Sequence, residues 1–346
     1  MEKSINFKKF NMFYISQSRK FLMGISALWI MLYHSEIAFS RVDNGGFFHF
    51  LYILDYHVYL IKSLGQTGVD IFLFLSAIGL FFSLNKEEDL LSFYKKRIIR
   101  ILPTFLVFGL IYELLTFVSL KESILYLSGL NFILYGKRRY WYVFLAVLTY
   151  AIYPFLHRLE KNKGRWIYLF FICLSVLFNW FLSICFPSLF NNIEIALRRI
   201  PVFLFGCFCA KDVKNQKEYN AFILLFFLIV FLSSYLYLVG QEYNITVFYR
   251  YVNSLFAFSF IILVSYLYVC LSDTFILKKI ALLIEKCGNY SLEFYIGFDI
   301  ALLLVKRITQ SEKTISVALL SFVLCLIMCY VIKKCLIDKM VIGRKI

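Results

Sequence analysis

The sequence has few of the residues that a soluble domain uses to turn its chain and cover its surface. Its 346 residues include four prolines, four histidines and only 21 acidic side chains. Apolar residues make up 61% of the chain, and the mean hydropathy is +0.76. A soluble domain with a single core does not have this composition. The sequence therefore predicts a polytopic membrane protein.

The shortage of proline also favours a bundle of transmembrane helices over a β-barrel. Apolar runs of about twenty residues recur along the chain and match the length of a transmembrane helix, whereas barrel strands are short and alternate. Internal repeats, low-complexity stretches and an appended soluble domain are not visible. We expect an all-α fold in a single integral membrane domain over 1–346. Tails at 1–20 and 334–346 would flank a helix bundle at 21–333.

The sequence also lacks the signs of a cleavable signal peptide and of a cysteine metal site. The first apolar run has no Ala-x-Ala-like exit and is too long for a cleavable signal peptide, so we expect it to be retained. Most of the nine cysteines lie inside apolar runs, and none of them has the spacing of metal ligands. We therefore expect no metal.

Charged breaks between the apolar runs predict about ten transmembrane helices. The predicted spans are 21–39, 67–84, 101–119, 141–156, 166–185, 198–210, 220–239, 250–271, 289–305 and 314–333. The segment from Lys121 to Tyr135 is apolar but too short to cross, and we expect an interfacial or re-entrant helix there.

Lysine and arginine predict the orientation of these spans, because short cytoplasmic loops carry most of them. With ten spans, five cationic segments share one side with both termini, which is then the cytoplasm: the N-terminal tail, 94–100, 157–165, 211–217 and the tail after Lys333. The loop "GKRRYW" at 136–141 falls outside with three cations, so either this loop is functional or the span count is off by one there. The net charge of +16 follows from anchoring and topology and requires no nucleic acid.

Two ionisable residues fall inside predicted spans at one depth. His34 and Asp70 each lie within about 7 Å of the outer surface at 1.5 Å per residue. A carboxylate there is costly unless paired, and it would set the tautomer and basicity of a partner histidine. The alternative is that headgroup water hydrates both side chains. Glu36 lies two residues further out, where solvation is easier. The other histidines fall in predicted loops: His49, His57 and His157.

The segment "FYKKRIIRILP" at 93–103 carries a cationic cluster at the entrance to the third span. Arg97 and Arg100 share a helix face, and Lys96 lies four residues before Arg100. Paired guanidiniums give phosphate parallel hydrogen bonds, although an anchor for anionic headgroups would show the same pattern. A base near one surface and a phosphate site near the other favour an enzyme that takes a phosphorylated donor from the cytoplasm.

Six short motifs occur in a diagnostic order. "ALWIMLYH" ends the first span, "GVDIFLFLSA" at 68–77 forms the second, and "FYKKRIIRILP" opens the third. Weaker matches follow in "YWYVFLAVLTYAIYP", "RRIPVFLFGCFCA" and "CGNYSLEFYI". In this order and at these separations, the chain resembles the bacterial acyltransferase-3 family of integral membrane O-acyltransferases over nearly its full length.

The resemblance implies a reaction. The family transfers an acyl group, most often acetyl, from a coenzyme A thioester to a hydroxyl of a cell-surface polysaccharide. We therefore expect a multi-pass protein of the bacterial inner membrane that uses acetyl-CoA and acts on a glycan or its lipid-linked precursor. Membrane lipids would be its other partners, and no pattern indicates an oligomeric state.

The resemblance also implies site residues. His34 takes the place of the essential histidine, as general base or transient acyl carrier, and Asp70 would support it. The donor phosphates would be bound by Arg97 and Arg100, with Lys96 beside them. The residues expected on the substrate path are Ser76, Trp141, Arg199 and Glu36.

Three positions depart from the family pattern. Met23 stands where an arginine is usual, which leaves Arg19 or Lys20 as substitutes. Ala77 replaces a glycine after the serine of the second motif. Phe298, followed by an aspartate, replaces a histidine, which would alter the acceptor site.

Other functions are compatible with these residues. The chain could transfer another acyl group, such as succinyl, or use peptidoglycan or a lipid as acceptor. A transporter for glycan precursors would also carry ionisable residues in its helices, but it would commonly show pseudo-repeats and midplane breaks, which are not visible here. A non-catalytic scaffold would not depend on His34.

Overall fold

The chain is helical throughout the residues that can be described. The computed structural model describes 9–35, 59–86, 89–240, 247–271, 274–310 and 315–337. Within these ranges the strands are the two short ones of an antiparallel pair, β1 (Phe10–Asn11) and β2 (Glu218–Tyr219). The predicted all-α fold is confirmed.

The helices are numbered in chain order. The first eight are α1 (Phe13–Gln17), α2 (Arg19–His34), α3 (Thr67–Leu84), α4 (Leu90–Leu115), α5 (Leu120–Leu127), α6 (Leu130–Tyr135), α7 (Trp141–Lys163) and α8 (Ile167–Cys185). The others are α9 (Pro187–Leu197), α10 (Ile200–Lys214), α11 (Phe222–Gly240), α12 (Val247–Leu271), α13 (Phe275–Asn289), α14 (Ser291–Thr309) and α15 (Ile315–Ile332). A 3₁₀ turn at Leu64–Gln66 precedes α3, and a π-helical turn at Lys333–Ile337 follows α15.

Each predicted span overlaps one of these helices. In the described part of the chain, seven helices are long and apolar enough to cross a bilayer: Tyr59–Leu84, Leu90–Leu115, Trp141–Lys163, Ile167–Cys185, Phe222–Gly240, Phe248–Leu271 and Ile315–Cys335. The other three predicted spans correspond to α2 and α10, of 16 and 15 residues, and to α14, which carries two acidic and two basic residues. A membrane protein with several spans is therefore supported, and the number ten stays a prediction.

The segment between the third and fourth predicted spans forms two short helices, α5 and α6, of eight and six residues. Gly129 separates them with a φ of +81°, a left-handed conformation that favours glycine. A Cβ added there would lie 2.9 Å from the ring of Phe144. Neither helix has the length to cross a bilayer. This agrees with the predicted interfacial or re-entrant segment.

Several cationic segments meet at one end of the bundle. The N-terminal strand pairs with Glu218–Tyr219 next to the segment 211–217, and Arg165 Nη1 lies 2.5 Å from Asp212 Oδ1. Lys333 Nζ lies 2.9 Å from Glu293 Oε1 near the start of α14. We call this end, with Arg19, Arg97, Arg165, Lys214 and Lys333, the basic end. These segments thus share one end of the bundle, and its assignment to the cytoplasmic side stays a prediction.

Two of the three cations of the 136–141 loop, at the opposite end, lie against carboxylates. Arg139 Nη1 lies 2.7 Å from Glu113 Oε1, and the Arg139 guanidinium lies between the rings of Tyr112 and Tyr126. Arg138 Nη2 lies 3.4 Å from Glu194 Oε1. These ion pairs offset part of the loop's charge, and the position of the loop outside and the span count stay predictions.

Helix α3 lies at the centre of the bundle, with most of its side chains buried. It packs closely on α10, where a Cβ added to Gly206 would lie 2.7 Å from the Phe74 carbonyl oxygen and 2.8 Å from the Ala77 Cβ. Small residues allow membrane helices to approach in this way. The glycine that the family pattern expects at 77 is thus compensated by Gly206 on the facing helix.

Candidate active site

Three arginines line one cavity at the basic end. Arg19 comes from α2, and Arg97 and Arg100 come from α4. Among the described residues, none that lines the cavity is acidic. It is completed by Met23, Phe72, Ser76, Gly79, Leu80, Ile101, Tyr142, Val143, Ala146, Tyr150, Ser291 and Leu292. We call it the donor cavity, because the resemblance predicts donor binding at Arg97 and Arg100.

Arg97 and Arg100 are helical residues because α4 begins at Leu90, before the start of the predicted span 101–119. Asp89 caps α4: its Oδ1 accepts a hydrogen bond of 2.8 Å from the Ser92 backbone N–H. This bond holds the pKa of Asp89 below its ordinary value. Arg97 donates to the Ser83 hydroxyl at the end of α3 and lies over the Phe93 ring. Lys96 is exposed and does not line the cavity, whereas Arg97 and Arg100, which follow it, both do.

Arg19 lies one helical turn before Met23 in α2, and its side chain lines the donor cavity. Its guanidinium lies against α3, where a Cβ added to Gly79 would be 2.5 Å from Nη2. Its Nε is buried and has no hydrogen-bond partner among the described residues. Lys20, the other substitute considered for the missing arginine, is exposed. The structure therefore places Arg19, and not Lys20, beside Arg97 and Arg100.

A buried ion pair lies near the start of α3, on the side of the bundle away from the basic end. Arg199 Nε lies 2.9 Å from Asp70 Oδ1, and both residues are at most 3% exposed. Asn253 donates from Nδ2 to Asp70 Oδ2 at 2.6 Å, and its own Oδ1 accepts from the Thr67 hydroxyl at 2.8 Å. The Arg199 guanidinium also lies 4.9 Å from the Trp141 ring centroid. Three predicted site residues, Asp70, Trp141 and Arg199, are thus in contact.

Aromatic side chains separate this ion pair from the donor cavity. Tyr142 lines the cavity and contacts the rings of Tyr295 at 5.0 Å and Trp141 at 6.2 Å. Ser76 lines the same cavity from α3.

His34 lies in a second cavity, of about 510 Å³, at the opposite end of the bundle. The side chain is exposed and its ring makes an edge contact with Tyr33. The cavity is lined by Tyr33, His34, Tyr59, Lys62, Ser63, Gln66, Leu238, Tyr249, Asp299 and Leu302. We call it the acceptor cavity. The aspartate beside Phe298 faces it, whereas Phe298 itself is buried against Phe322 of α15.

The acceptor cavity adjoins a network of arginines around one carboxylate. Gln66 lines the cavity and accepts from Arg250 Nη1 at 3.5 Å. Arg250 Nη2 lies 3.2 Å from Glu194 Oε1, and Arg198 Nη1 lies 2.8 Å from Glu194 Oε2. The network borders the cavity wall and links α9, α12 and the turn before α3.

The predicted site residues thus fall in three groups. Arg97, Arg100 and Ser76 line the donor cavity, and Asp70, Trp141 and Arg199 form the central cluster. His34 lies in the acceptor cavity. The partners recorded for Asp70 are Arg199 and Asn253, so its direct contact with His34 stays a prediction. Glu36 lies outside the described residues.

One histidine was assigned to the wrong kind of element. His157 was expected in a loop, but it lies within α7, is 5% exposed, and its Nδ1 lies 3.2 Å from Glu160 Oε2. The charges of 157–163 end the apolar run, but they do not end the helix, which continues to Lys163.

Four polar residues of the site were not identified from the sequence: Gln66, Glu194, Arg250 and Asn253. Arg250 and Asn253 sit in the otherwise apolar run of α12 and are 8% and 2% exposed. Their presence in a predicted span was a signal, because a polar side chain inside a membrane is costly without partners.

Comparison with known families gives the chemistry. The acyltransferase-3 family model, described as an acyltransferase domain, matches residues 21–334, nearly the whole chain. The chain belongs to this family. It is therefore a membrane acyltransferase, and the ion pair and the residues of both cavities lie within the matched range, except Arg19, which precedes it. Searches of curated proteins and of solved structures each gave no significant match to this acyltransferase.

Proposed function

We propose that this acyltransferase moves an acetyl group from acetyl-CoA to a hydroxyl of a cell-surface polysaccharide or of its lipid-linked precursor. The observation that carries the proposal is the donor cavity, where three guanidinium groups meet and no carboxylate contributes to the wall. Such a cavity suits a ligand with several phosphate groups, which coenzyme A is. The predicted orientation places this end in the cytoplasm, where the thioester is made.

The donor would bind with its phosphates at the basic end. Arg97 and Arg100 project from one face of α4, and Arg19 approaches from α2. Each guanidinium can give two parallel hydrogen bonds to phosphate oxygens, so the trio can bind phosphates at separate points of the nucleotide. The pantetheine arm would then extend past Ser76 and Tyr142 toward Trp141 and Arg199.

The acceptor would react at the opposite end. His34 removes the proton from the acceptor hydroxyl, and the oxygen attacks the thioester carbonyl carbon. The carbon–sulfur bond breaks, the acetyl group stays on the oxygen, and the proton passes from His34 to the leaving thiolate to give free coenzyme A. If His34 instead carries the acetyl group, nitrogen makes the first attack and the hydroxyl oxygen the second.

Arg199 would stabilise the negative charge that develops on the carbonyl oxygen. Its buried position makes such an interaction strong, because water does not screen it. Asp70 and Trp141 hold the guanidinium in place through the 2.9 Å ion pair and the ring contact. In this account Asp70 is a positioning residue that acts through Arg199, in place of or in addition to the predicted support for His34.

Acetylation of the cell-surface polysaccharide tests the proposal in the producing cell. A deletion strain would be complemented with wild type, His34→Ala, Arg97→Ala or Lys96→Ala, and the polysaccharide examined by NMR for O-acetyl signals. We expect wild type and Lys96→Ala to restore the signals, and His34→Ala and Arg97→Ala to fail at equal membrane levels. Lys96 is the matched control because it neighbours Arg97 and lies outside the cavity wall.

Two outcomes would contradict the proposal. Full restoration by His34→Ala would remove the histidine from the chemistry. If wild type alone restored a different acyl signal, such as succinyl, the assignment of the catalytic residues would stand. The transferred group would then not be acetyl.

A further inference from the structure

Helix α13 (Phe275–Asn289) lies outside the two cavities and, apart from Asn289, outside every predicted span. It has 15 residues with three lysines and one glutamate, and it links α12 to α14. It joins the bundle at the basic end, where a Cβ added to Gly288 would lie 2.1 Å from the Lys20 carbonyl oxygen. A helix of this length and charge does not cross a bilayer.

One face of α13 is closed by protein. A Cβ added to Gly24 of α2 would lie 1.9 Å from the Ile284 carbonyl oxygen, so the two backbones touch. Ala281 is 8% exposed on the same face. Glu285 accepts a hydrogen bond from the Tyr268 hydroxyl of α12. The single acidic group of the helix is therefore directed toward the bundle.

The other two faces are exposed and differ in chemistry. At about 100° per residue, Ile280 and Leu283 share one face, and they are 48% and 62% exposed. Lys278, Lys279 and Lys286 are exposed on the next face. A helix with adjacent apolar and cationic faces has the pattern of an in-plane membrane helix.

We propose that α13 lies in the headgroup region of the cytoplasmic leaflet and binds anionic lipid through Lys278, Lys279 and Lys286. The apolar face requires acyl chains, and the neighbouring lysines require negative charge at the depth where headgroups lie. Both are supplied together by a leaflet that contains anionic lipid. Because α13 leads directly into α14, this anchor also fixes Ser291 and Leu292, which line the donor cavity.

Lipid binding by the full-length protein tests the charged face. The purified protein in detergent would be titrated with phosphatidylglycerol or phosphatidylcholine, and the bound lipid counted by native mass spectrometry. Changing Lys278, Lys279 and Lys286 to Gln should weaken phosphatidylglycerol binding by about tenfold or more and leave phosphatidylcholine binding unchanged. The control changes Lys161, Lys163 and Lys211, three exposed lysines at the same end, to Gln and should keep the wild-type affinity.

Photocrosslinking tests the apolar face in lipid nanodiscs. Benzoylphenylalanine in place of Leu283 should crosslink to acyl chains, whereas the same residue in place of Leu282 should not. These neighbours are 62% and 49% exposed but lie about 100° apart, with Leu282 on the lysine face. Equal loss of phosphatidylglycerol binding in both triple variants would overturn the proposal. Acyl-chain crosslinks at 282 and not at 283 would do the same, and neither result depends on the reaction catalysed.

Discussion

Arginines in two parts of the bundle are used in different ways. At the opposite end and in the central cluster, Arg139, Arg198, Arg199 and Arg250 each lie against a carboxylate, as Arg165 does at the basic end. Among the described residues, the cavity that holds Arg19, Arg97 and Arg100 has no carboxylate in its wall. An arginine matched by an acid inside the protein supports the fold, whereas cations gathered without acids are suited to an anionic ligand. Substitutions in these two groups should therefore affect different measured quantities.

The largest expected effect is on the chemical step, at the end of the bundle remote from the arginine trio. His34→Ala should lower the rate of acetyl transfer by about 10²- to 10⁴-fold, because proton transfer by a positioned base contributes that much. The KM for acetyl-CoA should change little, since the donor binds at the other end. Initial rates with purified protein in vesicles would measure both.

The control for this variant is Tyr33→Phe, which alters the neighbouring ring in the same cavity. An equal loss of rate in Tyr33→Phe would show that the cavity's shape matters and not the imidazole.

The next effect should appear in stability. Asp70→Ala would leave Arg199 buried without its carboxylate and should lower the free energy of unfolding by about 3–5 kcal/mol. The exposed pair between Lys9 and Glu218 is the comparison, with side chains 72% and 56% exposed, and Glu218→Ala should cost less than about 1 kcal/mol. Thermal unfolding of the detergent-solubilised protein would rank the two.

A double variant sharpens this result. Asp70→Ala combined with Arg199→Leu removes both charges and should recover much of the lost stability. No recovery would mean that Arg199 contributes in other ways than through the ion pair.

A smaller effect is expected on donor binding. Arg19→Ala should raise the KM for acetyl-CoA by about 10- to 100-fold, because one charge-assisted contact to phosphate is worth about 1.5–3 kcal/mol. Lys20→Ala, at the exposed neighbour, should leave the KM unchanged. Gly79→Ala should raise the KM as well, because the added methyl group displaces the Arg19 guanidinium from its position.

An equal rise in KM in Lys20→Ala and Arg19→Ala would contradict the assignment of donor binding to Arg19. It would indicate that the total charge of the N-terminal segment affects donor binding. The proposed function would survive that result if Arg97→Ala still abolished acetylation.

The smallest effect concerns helix packing. Ala77→Gly restores the residue that the family pattern expects and should destabilise the protein by about 1 kcal/mol, since glycine is a poor helix former. Gly206 already provides the close approach of α10, so the rate of transfer should not change. Thermal unfolding and initial rates would test this, and a gain of activity would show that Ala77 obstructs the path.

The sequence was sufficient for features that depend on local pattern. The positions of the apolar helices and the shared face of Arg97 and Arg100 follow from periodicity, and the structure has both. The pairing of Asp70 with Arg199 and Asn253 was not predictable, because α3, α10 and α12 are distant along the chain and meet only through tertiary packing. The choice between Arg19 and Lys20 likewise depended on the direction in which α2 turns each side chain.

The most direct test of the account compares two donors. Acetyl-pantetheine carries the same thioester as acetyl-CoA but none of its phosphates. For the purified wild-type protein, the account predicts a KM at least about 100-fold higher for acetyl-pantetheine, and a much smaller difference once Arg97 and Arg100 are changed to Ala. Equal KM values for the two donors in the wild-type protein would contradict the assignment of the arginine cavity to donor phosphates.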